Sequence, residues 1–166
     1  ASNGAQANGS SRNPSLDVRN YRAEDFAARI AAVSQLMDST NPDLGAFHAR
    51  GGKLLMLEHM ADYAQSPFAG IRYYESIVAR MGRDNADRFL RLYTAPGVDH
   101  VGSGAPANVD MLGALADWVE RGRAPSGLQL VEQEVPPPFK AVRARPLCEW
   151  PLWPRYTGGD VSQAAS

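Results

Sequence analysis

The chain has 166 residues, 44% hydrophobic and 21% charged, which is typical of one globular domain and short for a two-domain enzyme. Its 17 lysines and arginines nearly balance 18 aspartates and glutamates, so no basic excess is available to bind nucleic-acid phosphates or an anionic membrane. No apolar run approaches the roughly 20 residues that span a bilayer. The single cysteine, Cys148, excludes a disulfide scaffold within the chain and a multi-cysteine metal site.

The N-terminal part of the chain divides into two stretches. The first is rich in Gly, Ser and Asn and carries little apolar mass, so we expect residues 1–21 to form a flexible segment. From residue 22 apolar side chains recur at three- and four-residue spacing, which predicts an amphipathic helix. Asn41-Pro42 ends this pattern, because the residue before a proline disfavours the α region. A short turn or helix follows at residues 43–47.

Two strand–helix units occupy the middle of the chain. Each strand is a short, mostly apolar run, typical of a strand buried on both faces. Each helix has an apolar stripe and ends at a glycine. The strands centre on residues 54–57 and 89–93, and the helices extend from Ser66-Pro67 to Gly82 and from Asn108 or Asp110 to Gly122.

This alternation predicts an α/β architecture with parallel strands. Two strands alone would leave long unpaired edges, so we expect residues 22–134 to be one end of a larger α/β domain. The proline-rich residues 135–166 are expected to form an irregular C-terminal tail that packs on this domain.

Two titratable residues follow the two predicted strands. Asp62 comes after the first and His100 after the second, and catalytic groups in open α/β sheets lie just beyond such strand ends. An acid followed by a histidine is the second half of a hydrolase triad, in which the histidine accepts the nucleophile's proton and the acid fixes its tautomer. The alternative is an aspartate that caps a turn and an ordinary histidine. His48 and His59 have no spacing to each other or to His100 that predicts a metal site.

Several motifs of this sequence resemble the C-terminal third of the tannase and feruloyl esterase family. They are NPDLGAFHARGGKLLMLEHMAD, SPFAGIRYYESIVARMG and FLRLYTAPGVDHVGSGAPANVDMLGALADWVERGRAP, followed by RPLC at 145–148 and RYTGGD at 155–160. They occur in the same order as in the family and extend from about residue 23 to the last residue. The resemblance implies the C-terminal portion of an α/β-hydrolase fold, incomplete on its own, and hydrolysis of esters of gallic, hydroxycinnamic and related aromatic acids.

The resemblance assigns Asp62 as the triad acid and His100 as the triad histidine. The family's serine lies far upstream in a Gly-Cys-Ser-x-Gly-Gly elbow, which this sequence lacks; Ser10, Ser11 and Ser103 follow no buried strand. The chain is therefore expected to be a C-terminal fragment or subunit of a serine-type carboxylic ester hydrolase, and to be inactive alone. The alternative is a non-catalytic or degenerate hydrolase-derived module that acts in assembly or binding.

The chain departs from the family pattern at two places. Val101 stands where the family commonly has a cysteine paired with the one beside the serine, so that disulfide cannot form. Glu58-His59 stands where the family tends to have His-Gly, at the rim of the site. Asp99 is expected to be a loop residue rather than a second triad acid. Cys148 matches a family cysteine whose partner lies a few residues beyond an Ala-Ala-Ser-like ending; a small buried thiol is the alternative.

The resemblance also bears on cofactors, partners and location. No cofactor or metal is expected in this chain, because a calcium ion carried by the lid would lie outside it. The expected partners are an aromatic-acid ester as substrate and the missing N-terminal part of the hydrolase, with neither nucleic acid nor membrane. A secreted or periplasmic location is implied, although no charged start followed by an apolar stretch, as in a signal peptide, is visible in the sequence.

Overall fold

The structure, a computed structural model, describes residues 17–165. The chain forms two compact units, and the boundary between them in the sequence lies between Asn41 and Pro42. The described part of the first unit is helical. It contains two 3₁₀ turns, Val18–Asn20 and Ala23–Phe26, and helix α1, Ala27–Met37.

The helix predicted from residue 22 is confirmed, but its end differs from the prediction. Helix α1 ends at Met37 because Asp38 already adopts an extended backbone conformation, before the chain reaches the proline. Most of the predicted flexible segment, residues 1–16, lies outside the described residues. The turn at Val18–Asn20 is capped by Asp17, whose carboxylate accepts a hydrogen bond from the Arg19 N–H, so regular structure begins before residue 22.

The second unit contains two small sheets and four helices among its described residues. In chain order the elements are α2 Gly45–Ala49, β1 Leu54–His59, α3 Phe68–Met81, α4 Arg83–Ala86, β2 Leu90–Ala95, α5 Met111–Arg121, β3 Gln129–Gln133, β4 Ala141–Pro146 and β5 Cys148–Glu149. Strands β1 and β2 are parallel, and β5 pairs antiparallel with β2, which places β2 in the centre of a three-stranded sheet. Strands β3 and β4 form a separate antiparallel pair.

Local signals set the ends of the two long helices of this unit. Pro67 precedes the first residue of α3, and α3 ends at Gly82, whose φ of +83° suits a residue without a Cβ. Asp110 caps α5 by accepting a hydrogen bond from the Gly113 N–H at 2.7 Å. Gly122 ends α5 in the left-handed region. Both predicted helices are therefore confirmed.

The central strand β2 is buried because both faces of the sheet are covered, one by helix α3 and the other by helix α5 together with Leu130 of β3 and Leu147. Alternate side chains of β2 point to opposite faces. Helix α3 lies on one face and α5 on the other, so the sheet has the sandwiched position typical of parallel strands. On the α3 face the buried core consists of Ile71, Tyr74, Ile77, Ala86, Phe89, Leu90 and Leu92. On the α5 face it consists of Tyr93, Ala95, Val98, Leu130 and Leu147.

The prediction of an irregular segment at residues 135–166 is wrong for two stretches. Strand β4 pairs with β3, and in β5 Cys148 pairs with Thr94 of the central strand. The pairing of β5 with β2 joins segments far apart in the sequence, whereas β3 and β4 form a local hairpin, and proline-rich composition carries no sign of either pairing. The predicted fold class is confirmed, since parallel strands alternate with helices on both faces. Between residues 17 and 165, none of the helices is both long and apolar enough to cross a bilayer.

Candidate active site

The two loops that carry the candidate residues leave the same edge of the sheet. Strands β1 and β2 are parallel and in register, with His59 opposite Ala95 at their carboxyl ends. Backbone hydrogen bonds continue past the strands, from the Met60 N–H to the Ala95 carbonyl at 3.1 Å and from the Ala61 N–H to the Val98 carbonyl at 3.0 Å. The loop after β1 and the loop after β2 are therefore held side by side.

Asp62 and His100 meet between these loops. The Nδ1 atom of His100 lies 3.0 Å from Oδ2 of Asp62. A carboxylate only accepts hydrogen bonds, so Nδ1 carries the proton and Nε2 of the neutral ring keeps its lone pair. The Asp62 side chain is 11% exposed and that of His100 is 49% exposed. The acid is thus sheltered, while the imidazole is accessible to a reacting group.

The backbone of the β1 loop fixes the Asp62 carboxylate. Its second oxygen, Oδ1, accepts hydrogen bonds from the Ala64 N–H at 2.7 Å and the Gln65 N–H at 3.0 Å. The hydrogen bond from His100, followed by those from the backbone, lowers the pKa of Asp62 to about 2. Asp62 is therefore ionised at neutral pH, and both of its oxygens have partners.

This low pKa predicts how the stability of the fold responds to acid. Asp62 binds a proton less readily in the folded chain, where its pKa is about 2, than in the unfolded chain, where its pKa takes the ordinary value of 3.8. Its interactions therefore stabilise the fold above about pH 4, and this stabilisation is lost as the pH falls towards about 2. In Asp62→Asn, which does not titrate, the free energy of unfolding should fall less steeply over this interval. Urea denaturation at several pH values measures the slope.

The variant His100→Ala provides the internal control for this measurement. It removes the largest cause of the low pKa of Asp62 and leaves the backbone hydrogen bonds, so its slope should lie between those of the wild type and Asp62→Asn. Equal slopes in all three proteins would contradict the interpretation.

Asp99 organises the loop that carries His100. Its Oδ1 accepts hydrogen bonds from the Val101 N–H at 3.0 Å and the Ser103 N–H at 2.8 Å, which closes the loop around His100. Gly104, with a φ of +95°, completes this closure, since a Cβ there would lie 2.5 Å from the Gly97 carbonyl oxygen. The Asp99 carboxylate therefore serves the loop backbone, as expected for a loop residue.

The other candidates from the sequence lie in different settings. His48 stacks on Phe89 with ring centroids 4.7 Å apart, at the amino end of β2 rather than at the carboxyl ends of the strands. Cys148 is a half-buried free thiol, and burial raises its pKa. Within residues 17–165, no group of three or more His, Cys, Asp or Glu side chains could hold a metal ion.

Two residues near the pair had no assigned role in the sequence interpretation. The Tyr63 side chain follows Asp62 directly and is 75% exposed, with its ring centroid 6.2 Å from that of His100. The His59 ring hydrogen-bonds to the backbone of Asp99. Adjacency to Asp62 could have suggested Tyr63, but the His59 contact joins residues 40 apart and has no local signal.

The parallel sheet covered by helices on both faces, with polar loops at its carboxyl edge, is an α/β-hydrolase-like fold. The chain belongs to the tannase and feruloyl esterase family, whose model, described as "Tannase and feruloyl esterase", matches residues 2–166. Its relatives are esterases, so the family is one of carboxylic ester hydrolases.

Individual relatives agree with this membership. An uncharacterised esterase of Agrobacterium fabrum is 39% identical over 139 residues, which are 83% of this chain and 25% of the relative. The mono(2-hydroxyethyl) terephthalate hydrolase of Piscinibacter sakaiensis is 41% identical over 133 residues, 77% of this chain and 21% of that protein. The crystal structure of feruloyl esterase B from Aspergillus oryzae superposes with a TM-score of 0.79 at 25% identity, over 94% of this chain and 34% of that one. The chain spans about a quarter of the length of the curated relatives it matches.

Proposed function

We propose that the chain is the C-terminal part of a serine-type carboxylic ester hydrolase that acts on esters of aromatic acids. It supplies Asp62 and His100 of the triad, and the serine comes from a part of the enzyme outside this chain. The observation that carries the proposal is the 3.0 Å hydrogen bond between Asp62 Oδ2 and His100 Nδ1 at the carboxyl edge of the parallel strands. Family membership supports a secreted or periplasmic location.

The geometry of the pair suits general acid–base catalysis. Nε2 of His100 would accept the serine proton as the hydroxyl oxygen attacks the ester carbonyl, and it would return that proton to the leaving alcohol. The imidazolium formed in between is stabilised by the ionised Asp62. A water molecule, activated in the same way, would then release the acid from the acyl-enzyme.

The surroundings of His100 support an aromatic acyl group. The exposed ring of Tyr63 offers an apolar face beside the imidazole, at a centroid distance of 6.2 Å. A planar aromatic acid can stack on such a ring. The relatives include a feruloyl esterase and a mono(2-hydroxyethyl) terephthalate hydrolase, and both names denote esters of aromatic acids.

A hydrolysis assay on the full-length protein and on the isolated 166-residue chain tests the proposal. With methyl ferulate as substrate, the full-length protein should release ferulate, and the isolated chain should not, because it has no nucleophile elbow. Turnover by the isolated chain that His100→Ala abolishes would contradict the assignment of the serine to another part of the enzyme. A folded full-length protein that hydrolyses no aromatic ester would favour the non-catalytic module instead.

A further inference from the structure

A side chain of strand β1 hydrogen-bonds to the loop that carries His100. His59 is the last residue of β1, and its half-buried ring places Nδ1 2.8 Å from the backbone oxygen of Asp99, the residue directly before His100. A carbonyl oxygen only accepts, so Nδ1 of His59 donates. Because the neutral ring with the proton on Nδ1 and the protonated ring both donate from Nδ1, the bond does not depend on the charge of His59.

The His59 bond extends the backbone pairing between the two loops. The backbone hydrogen bonds from the β1 loop reach Ala95 and Val98 but go no further along the β2 loop. The His59 bond reaches Asp99, one residue beyond Val98 and one before His100. Among the described residues, two side-chain hydrogen bonds join these loops, that of His59 and that of the Asp62–His100 pair, and the other bonds between the loops are made by the backbone.

Beyond the buried Val98, the described hydrogen bonds of residues 99–104 are internal to the loop, apart from those that join Asp99 to His59 and His100 to Asp62. Asp99 accepts at its backbone oxygen from the Gly102 N–H at 3.1 Å and donates its own N–H to the Ser103 carbonyl at 2.9 Å. These bonds are internal, so they allow the loop to move as a body. The His100 side chain is 49% exposed, and packing therefore restrains it weakly.

We propose that His59 is a positioning residue for His100: its hydrogen bond to the Asp99 carbonyl holds the loop where His100 can reach Asp62. Asp62 and His59 lie in the same chain segment, three residues apart, so the bond fixes the spacing between the segments that carry the two members of the pair. The effect of the His59 hydrogen bond on catalysis rests on the proposed esterase function, whereas its effect on the Asp62–His100 hydrogen bond does not.

Three variants of the full-length protein test this role. The side-chain nitrogen of asparagine can occupy the position of Nδ1, that of glutamine extends towards the position of Nε2, and alanine has no donor. We expect His59→Ala and His59→Gln to lower kcat by about 10- to 100-fold with little change in KM, because displacement of a catalytic group by about 1 Å costs up to about 10²-fold. His59→Asn should stay close to wild type.

A second readout does not require esterase activity. The hydrogen bond from His100 is the largest cause of the low pKa of Asp62, so a displaced loop should raise that pKa from about 2 towards 3.8 in His59→Ala and His59→Gln but not in His59→Asn. Carbon-13 NMR of the Asp62 carboxyl group measures the titration. Circular dichroism verifies folding, and if the alanine variant does not fold, the asparagine and glutamine pair decides the question.

The outcomes separate this inference from the proposed function. An unchanged Asp62 titration in His59→Gln, or one that shifts equally in the glutamine and asparagine variants, would overturn the positioning role. If the wild type hydrolyses no ester, the esterase proposal fails, and the titration still decides the role of His59. A shift in the glutamine variant that the asparagine variant lacks would support it.

Discussion

Under the proposed function, replacing His100 by alanine in the full-length protein is expected to lower kcat/KM by about 10⁴-fold or more, since proton transfer to and from the serine would lose its carrier. The loss should appear in kcat, because the histidine acts in the transition state rather than in ground-state binding. His100 is half-exposed on a loop, so its truncation should leave the fold intact. Initial rates with methyl ferulate, together with circular dichroism, measure both effects.

Val101→Ala is the matched control for this substitution. Val101 is the next residue of the same loop, 71% exposed, and it contributes its backbone N–H rather than its side chain to the loop. Its activity should stay within a few-fold of wild type. If His100→Ala retained comparable activity, His100 would not be the general base.

The second large effect is expected for Asp62→Asn, which should lower kcat by about 10⁴-fold, as the corresponding change does in serine proteases. The backbone determines how the new amide sits. The N–H groups of Ala64 and Gln65 require an acceptor, so they would take the asparagine oxygen and leave its NH₂ group facing His100. That NH₂ group would donate to Nδ1 and move the ring proton to Nε2, where it blocks acceptance of the serine proton.

Asp99→Asn is the control for this change. Asp99 directly precedes His100 in the sequence. An asparagine oxygen at this position can still accept hydrogen bonds from the Val101 and Ser103 N–H groups. Its kcat should remain near that of the wild type. A large loss in Asp99→Asn together with normal activity in Asp62→Asn would transfer the role of triad acid to Asp99. Normal activity in both variants would mean that neither carboxylate acts as the triad acid.

Much of the second unit could be predicted because its signals are local. Pro67 and Gly82 mark the ends of α3, and Asp110 and Gly122 mark those of α5, since caps and breakers act on the backbone within one turn. The two apolar runs predicted the parallel strands β1 and β2 for a similar reason, as burial on both faces requires continuous apolar side chains. Motif order was sufficient to indicate the family.

The sequence by itself therefore determined the ends of α3 and α5, the parallel strands and the family, and it singled out Asp62 and His100 as the candidate catalytic residues. Only the tertiary structure decided that β5 adds to the central sheet from within a proline-rich segment. It also decided that Asp62 and His100, 38 residues apart, come within 3.0 Å, and that His59 hydrogen-bonds to the loop that carries His100. Such contacts depend on strand register and loop course together, and a pattern within a few residues of the chain specifies neither.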